Sequence, residues 1–393
     1  MLQFLPAADA ARRGWPWIEE TDPAIYAGRT DWPRISIVTP SYNQGQFLEE
    51  TIRSVLLQNY PNLQYIVIDG GSTDGSVEII KKYEPWIDSW VSEKDRGQSH
   101  AINKGLERCN GVWFNWLNSD DYLFPGALHA LITKAKKDKS KILSGQTMNI
   151  GLGTANSCYS SMVKTQWPKT LFFLQVNQPG SLLDLPEVRN VGGVREDLRL
   201  CMDLDLWLRI LWRGGSEVLG QTGERIAGYR YHDDSKTCAA EDAFAQEEYV
   251  ILADLAEQSG VDAGLAPGLQ KIREACSPKR IPLNGSPKKE VIAEVAARVW
   301  LERLLIEDSL LYRAYRKLCK PSDRPEGLAL ILDELKVQIE KLFPGQFSEI
   351  LRTALLRAMQ IEKRLSIGIA WKVFCLGAGP KEWRELVRLA IRP

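Results

Sequence analysis

Two adjacent carboxylates, Asp120 and Asp121, close the apolar run WFNWLNSDD, and Asn118 stands two positions before Asp120. Hard divalent cations take carboxylate oxygens, and Mg²⁺ commonly combines one or two carboxylates with substrate phosphates. An acid here could equally cap the helix suggested by PGALHALI. Taken alone, the pair leaves those two readings level. Asp203 and Asp205 lie two apart in CMDLDLWLR. In the first turn of a helix Asp203 would satisfy the helix dipole; at the edge of a cleft it would serve as a general base. His232, one of three histidines, follows YRY and precedes DDSKT. A loop position beside acids suits a metal or phosphate contact better than the helical setting of His129. The turn DGGSTDGS (69–76) could cradle a phosphate or a nucleoside. It contains neither G-x-G-x-x-G nor G-x-x-x-x-G-K-[ST], which sets aside a dinucleotide fingerprint and a P-loop.

The elements around these residues decide between the readings. ISIVTP (35–40) is a β-branched run ended by Pro, a buried strand. QFLEETIRSVLLQ places Phe47, Leu48, Ile52, Val55 and Leu56 at helical spacing. Strand–turn–helix then recurs through LQYIVID and SVEIIKKYEPW, through IDSWVSEKD and GQSHAINKGLERC, and reaches a fourth strand in GVWFNWLNSDD. Such alternation predicts βαβ units and a mostly parallel sheet, whose ligands sit at the carboxyl ends of the strands. Polar residues collect at those ends: Thr39 to Asn43, Asp69 to Asp74, Asp95 to Gln98 and Asn118 to Asp121. Four strand ends converging on polar residues turn the acidic pair from a cap into a metal site. Beyond residue 130 the alternation fades. An amphipathic helix over the CMDLDLWLRILW segment and a strand ending at YRYH remain legible. ACSPKRIPLNGSPKK reads as a linker, and the pattern is helical from 289 onward.

Composition narrows the class. Apolar residues make up 44% and charged residues 25% of the 393, and 50 Lys and Arg balance 50 Asp and Glu. That is an ordinary globular protein without a field for nucleic acid. The basic residues are concentrated after Lys271, leaving the rest acidic by the same amount. A basic end could approach an anionic surface, though a solvated helical region is the plainer reading. Seven cysteines without a C-x-x-C suit a reducing compartment rather than zinc or a disulfide framework. No secretory leader and no apolar stretch of about 18 residues is evident, so a cytoplasmic protein is expected.

The ordered motifs ISIVTPSYNQGQFLEETIRSVLLQNYPNLQYIVIDGGSTDGS, DRGQSHAINKGL, WLNSDD, NQPGSLL, VGG, DLDLWLR and YRYHDDSKT resemble the family 2 glycosyltransferases of GT-A fold. The likeness runs from about residue 34 to 240. It implies inverting transfer from a nucleotide-diphosphate sugar, a UDP-sugar for preference, assisted by Mn²⁺ or Mg²⁺. By that resemblance Thr39, Pro40, Tyr42 and Asp69 contact the nucleoside. Gln98, Asn103 and Lys104 face the ribose and diphosphate, and the strand-end residues Asn43, Asn118 and Ser119 belong to the same donor site. Asp120 and Asp121 hold ribose and metal, His232 joins the metal or diphosphate, and Asp203 is the catalytic base. Three departures stand out. Gly70 replaces a frequent second aspartate, His100 stands where an acidic or small residue is common, and Asn118 replaces the first acid of the metal motif.

The resulting expectation is an α/β, Rossmann-like nucleotide-sugar-binding domain with an all-α C-terminal region. Its parts are an extension at 1–33, a GT-A domain at 34–274, a linker at 275–288 and helices at 289–393. The acceptor is a hydroxyl of a saccharide, a lipid-linked or a protein-linked glycan. The helical tail would dock, form homo-oligomers or touch the inner face of a membrane peripherally. A nucleotidyltransferase would want a basic Gly-rich loop after the first strand, and TPSYNQGQ has no Lys or Arg. A non-catalytic scaffold would not need Asp120, Asp121, Asp203 and His232.

Overall fold

The structure, a computed structural model, describes residues 1–135, 139–151, 158–159 and 177–232, with isolated positions at 247–258 and residue 337. The expected linker and, but for that one position, the C-terminal helical region lie outside the described residues. Residues 1–163 and 175–239 form one compact unit, and residues 164–174 and 240–393 form a second. Everything below concerns the first.

Strand β1 (Ile35–Ser41) is buried at all seven positions, as its β-branched sequence requires. It pairs in parallel with β2 (Leu63–Asp69), Ile35 opposite Leu63, and on its other side with β4 (Trp113–Trp116). Strand β3 (Ser89–Ser92) extends the parallel set beyond β2. The crossovers are α1 (Gly45–Leu56), α2 (Ser76–Tyr83) and α3 (Gln98–Arg108). Leu48, Ile52 and Val55 form the buried stripe of α1 against Ile35, Ile37 and Val67. Helix α3 comes close to β1 at Gly105, where a Cβ would stand 2.4 Å from a Val38 methyl.

The sheet then changes character. Its order is β3-β2-β1-β4-β8-β6-β9-β5. Strands β5 (Tyr122–Leu123), β6 (Ile142–Ile150), β8 (Ser181–Asp184) and β9 (Leu219–Arg230) complete it, and β7 (Cys158–Tyr159) pairs with β6. Strand β8 runs antiparallel to both neighbours, while β6 and β9 are parallel to each other. Short helices α4 (Ala127–Ile132) and α5 (Leu185–Asn190) precede the longer α6 (Met202–Gly214). The sheet is therefore mixed: β1 to β4 pair only in parallel with one another, and the later strands combine one parallel pair, β6 with β9, with antiparallel ones. The sequence hid β6 because its buried positions include Ser144, Thr147 and Asn149, which breaks the apolar run a reader looks for.

Residues 1–33 are part of the core. Leu5, Tyr26 and Trp32 belong to the same buried cluster as Ile35 and Leu48. Arg53, 1% exposed on α1, donates to the carbonyl oxygens of Pro6, Pro16 and Trp17 and to the Tyr83 hydroxyl at 2.9–3.0 Å. One guanidinium thus ties the N-terminal segment to the first two helices.

Candidate functional site

The carboxyl ends of β1 to β4 meet on one edge of the sheet, and their loops are laced together. The Asn43 backbone N–H donates to Ser72 Oγ, and Asn43 Oδ1 accepts from the Thr73 N–H at 2.9 Å. Asp74 accepts from the Gly45 N–H and from both the N–H and hydroxyl of Ser76. The β1 and β2 turns therefore behave as one rigid lip. Thr39 and Pro40 are buried beneath it, and Thr39 Oγ1 lies 3.0 Å from the Tyr65 hydroxyl. Tyr42, 62% exposed, is the part of β1's exit that faces solvent.

Asp69, expected at the nucleoside, is inside this lip. It is fully buried. Its carboxylate accepts from the N–H groups of Gly71 and Ser72 and from the hydroxyls of Ser72 and Ser92. Four donors surround its two oxygens, so it shapes the turn. Asn103 and Lys104 also have partners within the chain. Asn103 exchanges hydrogen bonds with the backbone of Val194 and reaches Glu196, and Lys104 pairs with Glu93 at 2.5 Å. Asn103 is a clamp between α3 and the loop leading to α6. At the start of α3, His100 Nδ1 accepts from the Arg96 N–H.

The two adjacent acids at the end of β4 go to different places. Asp120 Oδ2 lies 3.1 Å from His232 Nε2, both side chains partly exposed. Asp121 is fully buried, its carboxylate accepting the Arg230 backbone N–H at 3.1 Å and the Asn118 amide at 3.3 Å. Burial, and then the charge of Asp120, push the acidity of Asp121 well above the usual carboxylate range. The two expected metal-site acids are thus placed differently, Asp120 partly exposed beside His232 and Asp121 buried behind it. Asn118 also accepts from Gln98 Nε2 at 2.6 Å, linking the start of α3 to this loop. Ser119 is buried, and its carbonyl, with that of Asp121, accepts from the Thr51 hydroxyl of α1.

Arg230 was not singled out in the sequence, yet it fixes this loop. Its guanidinium donates to the Asp120 carbonyl at 2.6 Å and pairs with Glu50 at 2.7 Å. It lies over the rings of Tyr122 and Phe47, and Phe47 also packs on His232, with centroids 5.0 Å apart. The signal in the sequence was its place two residues before His232, at the end of an aromatic strand. Among the described residues no group of three or more His, Cys, Asp or Glu side chains could share an ion. A cation held by Asp120 and His232 would need oxygens from elsewhere.

Asp203 opens α6, in the first turn, where the dipole favours its ionised form. Its Oδ1 accepts from the Leu204 N–H at 2.8 Å. The helix is held by a buried network that the sequence did not announce. Asp205 pairs with Arg209 at 2.6 Å and with Arg195 at 3.4 Å, and Arg209 donates onward to the carbonyls of Val191 and Gly193. Together with Asn103, these contacts fix the placement of the Asp203 turn relative to α3.

The chain is similar to known glycosyltransferases in sequence and in fold. The family model described as Glycosyl transferase family 2 matches residues 36–187. A putative teichuronic acid biosynthesis glycosyltransferase, TuaG of Bacillus subtilis, is 31% identical over 223 residues, which span 52% of this chain and 82% of that protein. An uncharacterised glycosyltransferase of Rickettsia typhi is 28% identical over 188 residues, spanning 46% of this chain and 59% of its own length. Among solved structures, S. aureus TarS 1-349 is similar at a TM-score of 0.52 and 15% identity, covering 91% of this chain and 90% of that one. Its complex with UDP-GlcNAc is similar at 0.50 and 14% identity, over the same shares. At such identity the likeness establishes the fold, GT-A.

Proposed function

Because the chain belongs to the family 2 glycosyltransferases, we propose that it moves a sugar from a nucleotide-diphosphate sugar, a UDP-sugar above others, to a hydroxyl acceptor with inversion. The observation that carries this reading is the approach of Asp120 and His232, 3.1 Å apart, beside the Gln98–Asn118 pair and on the edge that Tyr42 borders. A carboxylate oxygen and an imidazole nitrogen suit Mn²⁺ or Mg²⁺ when phosphate oxygens and water complete the shell. Asp120 and His232 would hold that ion. When bound, it supplies positive charge against the departing diphosphate.

The chain's own groups do the rest. Tyr42 offers a ring face to the nucleobase. Gln98 and Asn118 present their amides to the ribose. Arg230 keeps the Asp120 loop in place without entering the cleft. Asp203 accepts the proton of the attacking hydroxyl, a role worth about 10²–10⁴ in rate. An ordinary carboxylate suffices if the proton moves late, because the transition state is oxocarbenium-like.

The role printed for the Bacillus relative, teichuronic acid biosynthesis, supports an acceptor within a cell-surface polymer. A saccharide, lipid-linked or protein-linked acceptor all fit a hydroxyl nucleophile. Residues 34–274 would carry the chemistry and 289–393 would dock, oligomerise or touch a membrane surface. Among the described residues no helix is long and apolar enough to cross a membrane.

Thermal shift with UDP-, GDP- and dTDP-sugars, each with and without Mn²⁺, tests the donor site, since a ligand stabilises by RT ln(1 + [L]/Kd). A metal-dependent rise with one nucleotide is expected; no rise with any of them overturns the reading. Asp203→Asn should lower UDP release with acceptor by about 10² or more while leaving donor binding intact. Unchanged turnover would remove Asp203 as the base.

A further inference from the structure

Helix α1 is buried on more than the face that meets the sheet, for every residue from 51 to 56 is buried. At about 100° per residue, Leu48, Ile52 and Val55 share one face and Arg53 stands on another. A third face carries Phe47, Glu50, Thr51 and Ser54. It runs along the chain that leaves β4. The Thr51 hydroxyl lies 2.9 Å from the Ser119 carbonyl and 2.6 Å from that of Asp121. Ser54 Oγ accepts from the Leu123 N–H at 3.1 Å. Gln58, just past the helix, donates to the Phe124 carbonyl at 2.9 Å and accepts from the Leu128 N–H at 3.4 Å. At the other end of the stripe, Phe47 packs on His232 with centroids 5.0 Å apart. Glu50 pairs at 2.7 Å with Arg230, whose guanidinium donates to the Asp120 carbonyl. The consecutive carbonyls of residues 119, 120 and 121 are therefore tied, directly or through Arg230, to one helix.

We propose that this face of α1 sets the approach of Asp120 to His232, with Thr51 and Glu50 as positioning residues for the cation. With the carbonyls on both sides of Asp120 held, its backbone cannot turn independently, and the helix aims its side chain. Phe47 steadies the imidazole that Asp120 meets. Glu50 also balances the charge of Arg230, which would otherwise oppose a cation beside Asp120. Glu50 acts from a distance, since among the described residues it forms no three-residue ligand group with Asp120 and His232. The inference rests on the cation reading of Asp120 and His232 above and assigns the residues that hold that pair in place.

Thr51→Val, Thr51→Ser, Glu50→Gln and Gln58→Met would be compared with the wild type by Mn²⁺ titration in the presence of UDP, read by EPR, and by melting temperature. The chain has 3 histidines, so the His232 ring signals of the metal-free protein can be followed by NMR as a readout that needs no ion. Thr51→Val and Glu50→Gln should each weaken Mn²⁺ by about 10- to 100-fold, the usual loss when a group that orients a ligand is removed, and should move the His232 signals. Thr51→Ser, which keeps the hydroxyl, should restore both. Gln58→Met breaks the far end of the same stripe. It should lower the melting temperature at least as much as Thr51→Val, yet leave Mn²⁺ affinity within about twofold of the wild type. Glu50 is partly exposed, so its variant keeps the fold if Thr51→Val does not. Wild-type Mn²⁺ affinity in either folded variant, or a loss in Gln58→Met as large as theirs, overturns the positioning role. If the wild type binds Mn²⁺ no better than His232→Ala does, it is the cation reading that falls.

Discussion

Arg53→Met removes a charge that pairs with no carboxylate among the described residues and that three backbone carbonyls share. In the native chain its guanidinium is 1% exposed and donates to Pro6, Pro16 and Trp17 within 2.9 Å. Methionine fills much of the volume and donates nothing. The three carbonyls lose their donor, and a buried unsatisfied group costs about 1–3 kcal/mol. At the low end of that range the total is about 3 kcal/mol, or roughly 6–12 °C in Tm for a domain of this size. Part of the side chain's packing is kept, so the loss is one of hydrogen bonding. The assay is thermal unfolding followed by tryptophan emission, to which Trp17, 5.5 Å from the guanidinium, contributes. Limited proteolysis should show new cleavage within residues 1–33 before the sheet yields. A Tm within about 2 °C of the wild type, with the N-terminal segment still protected, would refute the account of Arg53 as the tie between that segment and the helices.

Other outcomes follow from single contacts. Gly105→Ala gains helix propensity but forces a Cβ to 2.4 Å from a Val38 methyl; overpacking of about 1–3 kcal/mol should prevail, and calorimetry showing a higher Tm would reverse that judgement. Asp205→Asn breaks a buried pair whose arginine side chains are 2% and 3% exposed. It should cost about 3 kcal/mol or more and lower kcat more than donor affinity, because α6 carries Asp203; equal losses in both would point to general unfolding. Burial pushes the Cys109 thiol up to about 12, so a maleimide at neutral pH should leave it unmodified until the chain unfolds. Native labelling at Cys109, read by mass spectrometry, would contradict its burial.

The parallel half of the fold was readable because its signals are local. Each strand from β1 to β4 is a short apolar run followed by a turn, and each crossover helix shows its stripe at 3.6-residue spacing. The strand-end residues were found by the same route. Their directions were not, because direction is decided by what packs behind. Asp120 and Asp121 are neighbours of identical chemistry, yet one meets His232 and the other disappears beneath Arg230. Asp69 was legible by its position at the end of β2, but not its partners Gly71, Ser72 and Ser92, which hold its carboxylate in the turn. Strands β6 and β8 escaped notice for a different reason, since buried Ser144, Thr147, Asn149 and Ser181 break their hydrophobic pattern.

The pairing of Asp120 with His232 closes a loop of 112 residues, whereas the lip made by Asn43, Ser72 and Asp74 is stitched from segments about 30 residues apart. Closing the longer loop is entropically dearer and depends on strands that pair out of chain order. The two halves of the cleft therefore mature at different moments as the chain folds. A nucleoside-shaped edge exists as soon as β1 to β3 have assembled. If Asp120 and His232 hold an ion as proposed, that affinity would wait until β9 slots between β6 and β5, and so would report that the whole sheet has formed.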